Sequence, residues 1–363
     1  MPKKGEHVYH RKDGLWEARY VKEIDETGKK KYGSVYAHSC KEAKEKRQQI
    51  VDNIRLFQKP VCSRNITVYQ LAEEWLHLSQ NRLKLSTYQR YRGFLDNHIV
   101  YFQKFPAIYC TTGALQKFAA DRLSTGMAPQ SINTILVFLH SCFKFGLRQY
   151  NLPMPEFMYL SVEKKEMRVF SKEEQKRLVE HLNEDIDIYK FGVFLTLYTG
   201  LRIGELCALR WDDLNDTSIK VRRTVQRLQS KEKNATELHI SSPKTSSSIR
   251  EIPIPSFLKE TIKHFRHKSN GQEYLLGTSR MPLLEPRVMQ MKFRHYMDKL
   301  GIEGATFHTL RHTFATRCVE CGFELKSLSE ILGHTNVQVT LNRYVHSSFE
   351  LKVNNMEKLS LTL

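Results

Sequence analysis

The sequence predicts a multidomain fold: a small α+β domain with a three-stranded sheet and a helix, an all-α domain of four helices, and a mainly α domain with a small antiparallel β-sheet. A length of 363 residues exceeds that of a typical single domain. The hydrophobic pattern changes from alternating to helical at Thr67, and a proline-containing, charged stretch follows at residues 153–166. These observations place the three domains at residues 1–60, 64–155 and 168–363.

The first domain is dense in charge and contains two strand-like stretches. Residues 15–21 and 32–37 alternate between apolar and polar side chains as strands do, and residues 25–29 form the predicted turn between them. A helix is expected to start at a Ser39 cap, with Glu42 as its capping-box partner. Such a sheet could contact a DNA groove through Arg11, Lys12, Trp16, Arg19, Tyr20 and Lys22. The alternative is a charged hairpin whose side chains face solvent and bind no DNA.

Four helices are predicted in the second domain. Apolar residues recur at helical spacing after Thr67, and Ser86 and Thr112 are expected to cap the next two helices. Residues 131–150 form a fourth, strongly apolar helix that we expect to be buried. The aromatic residues along these helices are assigned to a core. Candidate phosphate contacts on this domain are Arg82, Lys84, Thr87 and Arg90.

The third domain is expected to begin where Ser171 caps a helix. Residues 237–240 and 250–254 alternate as half-buried strands do, and the run of Pro, Ser and Thr between them, which includes Lys244, is predicted to form a hairpin turn. Residues 345–363 carry apolar side chains at roughly helical spacing. A short apolar helix there needs a surface to pack on, either in its own domain or on a neighbouring subunit.

The charge balance favours a polyanionic partner. The 57 basic and 39 acidic residues give a formal net charge of +18, and such an excess is typical of proteins that bind nucleic acid. No apolar run approaches the ~20 residues of a membrane-spanning helix, and no signal-peptide core follows the first residues, so we expect no membrane association and a cytoplasmic location. Seven scattered cysteines fit reduced thiols better than a disulfide framework.

Five residues of the third domain have the chemistry needed to hold and attack a phosphodiester without a metal. Arg202 and Arg311 carry guanidinium forks that match phosphate oxygens and stay charged. His308 lies three residues before Arg311, so the two share one face if that stretch is helical. His334 could donate a hydrogen bond to the same phosphate, and Tyr344 could attack it to form a covalent phosphotyrosine. Because that bond stores the energy for religation, no ATP is required.

A general acid for the leaving 5′-oxygen completes this chemistry. Lys244 is the candidate, because an ammonium in a mobile turn can donate a proton there, although one lysine among many is weak evidence alone. The whole ordered set resembles the active site of the tyrosine recombinase (phage-type integrase) family: Arg202, Lys244, His308, Arg311, His334 and Tyr344. The sequence segments at residues 198–206, 306–316 and 332–336 also resemble those of the family.

The resemblance implies a role for each of these residues. Both arginines and His334 would bind the scissile phosphate, Lys244 would be the general acid, and His308 would assist in proton transfer. Tyr344 would form the 3′-phosphotyrosyl bond. Glu205 matches an acidic position that buttresses the active site in the family. Three further residues near the site are assigned structural roles or phosphate contacts: His312, Arg343 and His346.

A zinc site is the competing interpretation, because His308, His312, Cys318 and Cys321 have the ligand types of such sites. If residues 309–320 form one helix, His308 and Cys321 lie about 20 Å apart at ~1.5 Å rise per residue, too far to share a metal. We therefore expect no metal and no cofactor. Both cysteines are assigned to the buried face of that helix.

The resemblance also implies domain roles and partners. The first domain looks like the arm-type DNA-binding domain of integrases from conjugative transposons and temperate phages, and the second like the SAM-like core-binding domain that closes over DNA. Double-stranded attachment sites would be the substrate of a homotetramer on synapsed DNA, with subunit pairs active in turn and each C-terminal tail docked on an adjacent protomer. The reaction would integrate and excise a mobile element. An excision factor and a host DNA-bending protein are further partners that the sequence leaves open.

Two other functions are alternatives to recombination. A type IB topoisomerase forms the same phosphotyrosine but relaxes a single duplex, and the first domain and the C-terminal tail favour recombination over it. A non-catalytic DNA-binding regulator on this fold would be expected to have lost at least one of the six residues. The sequence does not specify the attachment sites, the spacing of the two cleavages, or the identity of the element, because phosphate contacts carry no base information.

Overall fold

The computed structural model describes residues 7–24, 30–57, 65–163, 167–230, 235–241, 249–269 and 271–344. The chain divides into two compact units, Met1–Val162 and Glu163–Leu363. No helix in the described part of the chain is long and apolar enough to cross a membrane.

The first unit begins with an antiparallel sheet in the order β1-β2-β3. Its strands are β1 (Val8–His10), β2 (Trp16–Ile24) and β3 (Lys30–Ala37), and the helix α1 (Cys40–Phe57) follows and packs on β2 and β3. The hydroxyl of Ser39 accepts a hydrogen bond from the Glu42 N–H at 3.2 Å, which confirms the predicted cap. Both predicted strands are present, and the predicted turn at 25–29 lies outside the described residues.

The rest of the first unit is helical. Its α-helices are α2 (Val68–Ser79), α3 (Leu85–Asn97), α4 (Thr112–Ser124) and α5 (Pro129–Tyr150). The apolar face of α5 is buried in the core of this region, as its sequence predicts. Two predicted caps are wrong: α3 starts before Ser86, with Lys84 at the N-cap, and the hydroxyl that caps α4 belongs to Thr111. A cap residue needs extended backbone, and Thr112 already lies inside its helix.

The second unit is mainly α-helical with two small antiparallel ladders. Its elements are α6 (Lys172–Asn183), α7 (Ile188–Thr199), α8 (Ile203–Cys207), β4 (Ser218–Val221), β5 (Thr224–Gln229), β6 (Thr236–Ser241), β7 (Arg250–Pro253), α9 (Ser256–Lys268), α10 (Pro286–Lys299), α11 (Phe307–Glu320), α12 (Leu325–Leu332) and α13 (Val337–Tyr344). Ser171 caps α6 as predicted, and Glu174 completes a capping box with it. Most of α7 is apolar and buried, and it packs against α6, α8, α9, α10 and α11. The C-terminal end of α7 is therefore held firmly inside the unit.

The strand pairing differs from the predicted hairpin around Lys244. In the described residues β6 pairs with β5 and β7 pairs with β4, so the two strands that flank Lys244 belong to different ladders. Two residues, 222–223, separate β4 from β5, whereas residues 242–249 separate β6 from β7. Alternation identifies a strand but not its partner, which explains the error. Lys244 itself lies outside the described residues.

Candidate active site

Four turns and helix ends of the second unit meet around Arg311. These are the α7–α8 turn, the first half of α11, the α12–α13 turn and the end of α13. Gly200 ends α7 in a left-handed conformation, with a φ of +65°, and a Cβ there would lie 2.5 Å from the Phe314 ring. Glycine therefore satisfies both the turn and the close approach of α11. The turn delivers Arg202 to the N-cap of α8.

Arg311 is the most deeply buried of the predicted site residues, with 1% of its surface exposed. Its Nη1 donates to the Gly200 carbonyl at 2.7 Å, and its Nη2 donates to the Leu332 carbonyl at 2.6 Å. The side chain thus holds the C-terminal ends of α7 and α12 together. Burial, followed by the charge of Arg202, lowers the pKa of Arg311 to about 9. The guanidinium remains charged at neutral pH.

Arg202 is about one-third exposed and belongs to a network of charged groups. Its Nη1 donates to the Glu205 carboxylate at 2.8 Å, and Glu205 also accepts from the Arg202 backbone N–H at 3.0 Å. Arg250, the first residue of β7, donates two hydrogen bonds to the same carboxylate at 3.1 and 2.9 Å. Burial would raise the pKa of Glu205, but the hydrogen bonds and charges of Arg250 and Arg202 outweigh it and the pKa is lowered.

Arg250 is a residue that the sequence analysis missed. Its side chain is 5% exposed, and besides Glu205 it donates to the carbonyl of Ile331 in α12. It therefore connects β7, α8 and the turn that carries His334. Its position beside a strand and near Lys244 was visible in the sequence, but no pattern indicated which carboxylate it would bind.

His334 follows Gly333, which ends α12 with a φ of +65°. Its Nε2 lies 3.1 Å from Nη2 of Arg311, and its Nδ1 lies 2.8 Å from the hydroxyl of Thr340. Because a guanidinium can only donate, Nε2 is the acceptor and Nδ1 carries the proton that is donated to Thr340. Arg202 also reaches this turn, donating to the Gly333 carbonyl at 3.4 Å. Both arginines and His334 thus lie together, as predicted.

Tyr344, at the end of α13, is 5% exposed. Its ring packs in the small cluster that includes Cys318 and Leu332, and it lies parallel to the His334 ring with centroids 6.3 Å apart. The phenol oxygen is 3.0 Å from Nδ1 of His312. The predicted nucleophile therefore lies beside the predicted phosphate ligands.

His308 and His312 project from the first turns of α11. His308 is exposed and His312 is half-buried, and their rings meet edge-to-face with centroids 4.5 Å apart. The direct contact between His312 and Tyr344 is the second feature that the sequence analysis missed. The side chain of Arg343 and the whole of His346 lie outside the described residues.

Three residues of the competing zinc interpretation, His308, His312 and Cys318, lie along α11, and Cys321 follows its end. Residues 307–320 form α11, so the helical premise of the distance argument is correct. Among the described residues, no group of three or more His, Cys, Asp or Glu side chains is arranged to hold a metal ion. Cys318 is buried as predicted, and burial raises the pKa of its thiol to about 12. Cys321 is exposed, contrary to expectation, because α11 ends one residue before it.

The arrangement can bind an anion and attack it. Three guanidinium groups surround one carboxylate, so the site has a surplus of positive charge. The phenol of Tyr344 lies beside that surplus. A phosphodiester supplies both the negative charge that the arginines attract and an electrophilic phosphorus for the phenol oxygen.

Comparisons with known proteins agree with this chemistry. The model of the phage integrase family matches residues 168–350, and that of its N-terminal SAM-like domain matches residues 67–118. A tyrosine recombinase XerC-like protein of Caldanaerobacter subterraneus subsp. tengcongensis is 26% identical over 93% of each chain. The integrase of transposon Tn1549, solved with a circular intermediate DNA, has a TM-score of 0.71 and 21% identity over 81% of this chain and 99% of its own. The lambda integrase tetramer on a Holliday junction has a TM-score of 0.58 and 19% identity over 92% and 97%.

Proposed function

Because the chain belongs to the phage integrase family and is therefore a tyrosine-type site-specific DNA recombinase, we propose that the site around Arg311 cleaves and rejoins DNA through a 3′-phosphotyrosyl intermediate. The observation that carries this proposal is the position of the Tyr344 phenol beside His334 and the buried Arg311. A nucleophile and the groups that neutralise its target then occupy one site.

Arg202, Arg311 and His334 would bind the scissile phosphate. A pentacoordinate transition state concentrates negative charge on the non-bridging oxygens, and preorganised guanidinium groups stabilise it without metal or ATP. Arg311 is held by two backbone carbonyls, and Arg202 by Glu205, so neither needs a large rearrangement to meet the phosphate. His334 accepts from Arg311 through Nε2, so it would contact the phosphate as a donor after this bond is exchanged or the ring is protonated.

Tyr344 would attack the phosphorus while the bond to the 5′-oxygen breaks. Lys244 would give a proton to that oxygen, and His308, exposed at the start of α11, would assist in proton transfer. Religation reverses these steps when a 5′-hydroxyl of the partner strand attacks the phosphotyrosine. Strand exchange thus conserves the energy of the phosphodiester bond.

We assign the three domains at residues 1–60, 64–155 and 168–363 to arm-type DNA binding, core-site binding and catalysis. Arg11 and Arg19 lie over the rings of Tyr36 and Tyr9, at 5.1 and 5.5 Å, and both tyrosines are about half exposed. Paired cationic and aromatic groups on an exposed sheet support contact with a DNA groove. The match of residues 67–118 to the SAM-like domain supports a core-binding role for the helical region. We take the four helices α2 to α5 as this domain.

The chain is an integrase, and we infer that it integrates and excises a mobile element as a homotetramer on synapsed double-stranded attachment sites. The Tn1549 and lambda integrase structures support this inference, because both are integrases solved on DNA and the latter is a tetramer. In this assembly residues 345–363, which lie outside the described part of the chain, would dock on an adjacent protomer. An excision factor and a host DNA-bending protein would then regulate direction, and the reaction would take place in the cytoplasm.

The two rival functions lose support at particular features. A regulator without catalysis does not need a nucleophile beside the phosphate ligands, and Tyr344 lies there. A topoisomerase needs no second duplex, and the integrase relatives favour strand exchange.

Cleavage is tested with a nicked suicide substrate that carries the attachment site of the element, in a chelating buffer. Wild type should form a covalent DNA adduct on a denaturing gel, and Tyr344→Phe should not. Tyr296→Phe is the matched control, because it removes the same atom from a buried tyrosine of α10. A wild-type protein that binds this DNA without forming an adduct would overturn the catalytic assignment.

A further inference from the structure

The phenol of Tyr344 is hydrogen-bonded to a histidine outside the six-residue set. Its Oη lies 3.0 Å from Nδ1 of His312, and the two ring centroids are 5.8 Å apart. Only 5% of Tyr344 is exposed, so this contact is sheltered from bulk water. In the tautomer of His312 that carries its proton on Nε2, Nδ1 is an acceptor and the phenol donates its O–H to it.

The other histidines of the site are less well suited to receive this proton. Both ring nitrogens of His334 have partners, since Nε2 accepts from Arg311 and Nδ1 is bonded to Thr340. His308 is exposed and meets His312 edge-to-face at 4.5 Å. That perpendicular contact restricts the rotation of the His312 ring, so His308 would help to keep Nδ1 directed at the phenol.

A phenol needs such an acceptor at neutral pH. Its ordinary pKa is about 10, so it is protonated and weakly nucleophilic at pH 7. A half-buried imidazole within hydrogen-bond distance is the type of group that removes a proton as a nucleophile attacks. We propose that His312 is the general base for Tyr344, a role that rests on the proposed function of that tyrosine.

In this step the Tyr344 O–H bond breaks and its proton moves to Nδ1 of His312. The phenol oxygen bonds to phosphorus, the bond from phosphorus to the 5′-oxygen breaks, and that oxygen takes a proton from the general acid. Religation returns the proton from His312 to the phenol. Because Arg311 and His312 are consecutive in α11, the same helix turn orients the phosphate ligand and the base.

The first test measures single-turnover cleavage of the suicide substrate. His312→Asn keeps an acceptor atom at the position of Nδ1 but cannot take up a proton, so it separates positioning from base catalysis. We expect this variant to bind DNA normally and cleave at least about 100-fold more slowly. His264→Asn, an exposed histidine of α9, is the matched control and should cleave at the wild-type rate.

The second test supplies a base from solution. Imidazole should accelerate His312→Ala in proportion to its concentration, with more basic imidazoles acting faster, and should leave His312→Asn unchanged. Thermal unfolding and DNA binding establish that each variant is folded, and His312→Asn carries the test if the alanine variant is not. Cleavage by His312→Asn at a rate within twofold of wild type would overturn the proposal. Cleavage by His312→Ala that is faster than wild type without added imidazole would overturn it as well.

A third test distinguishes proton transfer from the attacking phenol oxygen from proton transfer to the leaving 5′-oxygen. A substrate with sulfur in place of the bridging 5′-oxygen releases a thiolate that needs no acid. The defect of His312→Asn should persist on this substrate, whereas that of Lys244→Ala should disappear. Recovery of His312→Asn would overturn the base assignment. An adduct that forms in Tyr344→Phe would instead mean that the proposed function itself has failed.

Discussion

Replacing Arg250 with methionine tests the structural network behind Arg202. The change removes two hydrogen bonds to Glu205, at 3.1 and 2.9 Å, and one to the carbonyl of Ile331. Glu205 is 4% exposed and would keep its ion pair with Arg202. Removing one partner of a buried ion pair costs about 3–5 kcal/mol. Since Arg202 still compensates part of the charge, we expect a loss of ~3 kcal/mol, more than 100-fold in the folding equilibrium.

Equilibrium urea unfolding measures this loss, and tryptophan fluorescence can restrict the signal to the second unit. The chain has three tryptophans, and Trp211 is the one in that unit. Replacing Trp16 and Trp75 with phenylalanine leaves Trp211, which is 7% exposed and lies in the main core, as the reporter. All variants should be compared in this background.

A double-mutant cycle isolates the pair. Glu205→Gln removes the charge that Arg250 compensates, so the double variant should lose less stability than the sum of the two single variants. The lowered pKa of Glu205 also predicts the direction of the pH dependence. The pair stabilises the folded state fully at pH 7, and this stabilisation is lost as the pH falls below the ordinary carboxyl pKa of 4.5 and through the folded pKa. A loss of less than about 0.5 kcal/mol in Arg250→Met would refute the reasoning, because exposed substitutions cost that little.

Three further changes test separate parts of the site. Gly200→Ala should destabilise the second unit by about 2 kcal/mol more than Gly301→Ala in urea unfolding, because both have positive φ but only at Gly200 would a Cβ meet an aromatic carbon of α11, at 2.5 Å. Equal losses would contradict this. Because folding lowers the pKa of Arg311 from its ordinary, much higher value to about 9, the unfolded state holds more protons above pH 9. Wild type should therefore gain stability relative to Arg311→Met between pH 9 and 10, by roughly 1 kcal/mol. A constant difference from pH 8 to 10 would contradict it. Thr340→Val should slow single-turnover cleavage roughly tenfold without weakening DNA binding, because it removes the partner of His334 Nδ1; an unchanged rate would show that this bond does not orient the ring.

Residue types and local spacing predicted much of the site. His308 and Arg311 are three residues apart in a helix, so their common face followed from helical geometry. Arg311 lies in α11 and His334 in the α12–α13 turn, so no spacing rule predicts the 3.1 Å contact between them. The resemblance to the family indicated that both residues act at one phosphate. The caps at Ser39 and Ser171 were recognisable because the hydrogen bond of a cap joins residues three apart.

The missed features depend on contacts between distant segments. Arg250 begins β7 and Glu205 lies in α8, and no sequence spacing relates these two elements. The predicted hairpin had also given β7 a different partner from β4. His312 was assigned a structural or phosphate role because its partner, Tyr344, lies on another helix. Alternation and helical periodicity show which face of an element is apolar, but they do not identify the side chain opposite.

Identification of the residue that becomes linked to DNA tests the central claim most directly. The covalent adduct formed by wild-type protein on the suicide substrate would be digested with protease and nuclease, and the modified peptide sequenced by mass spectrometry. We predict a nucleotide attached through its 3′-phosphate to Tyr344, in the peptide that ends α13. A nucleotide attached to any other residue, or through a 5′-phosphate, would contradict the account.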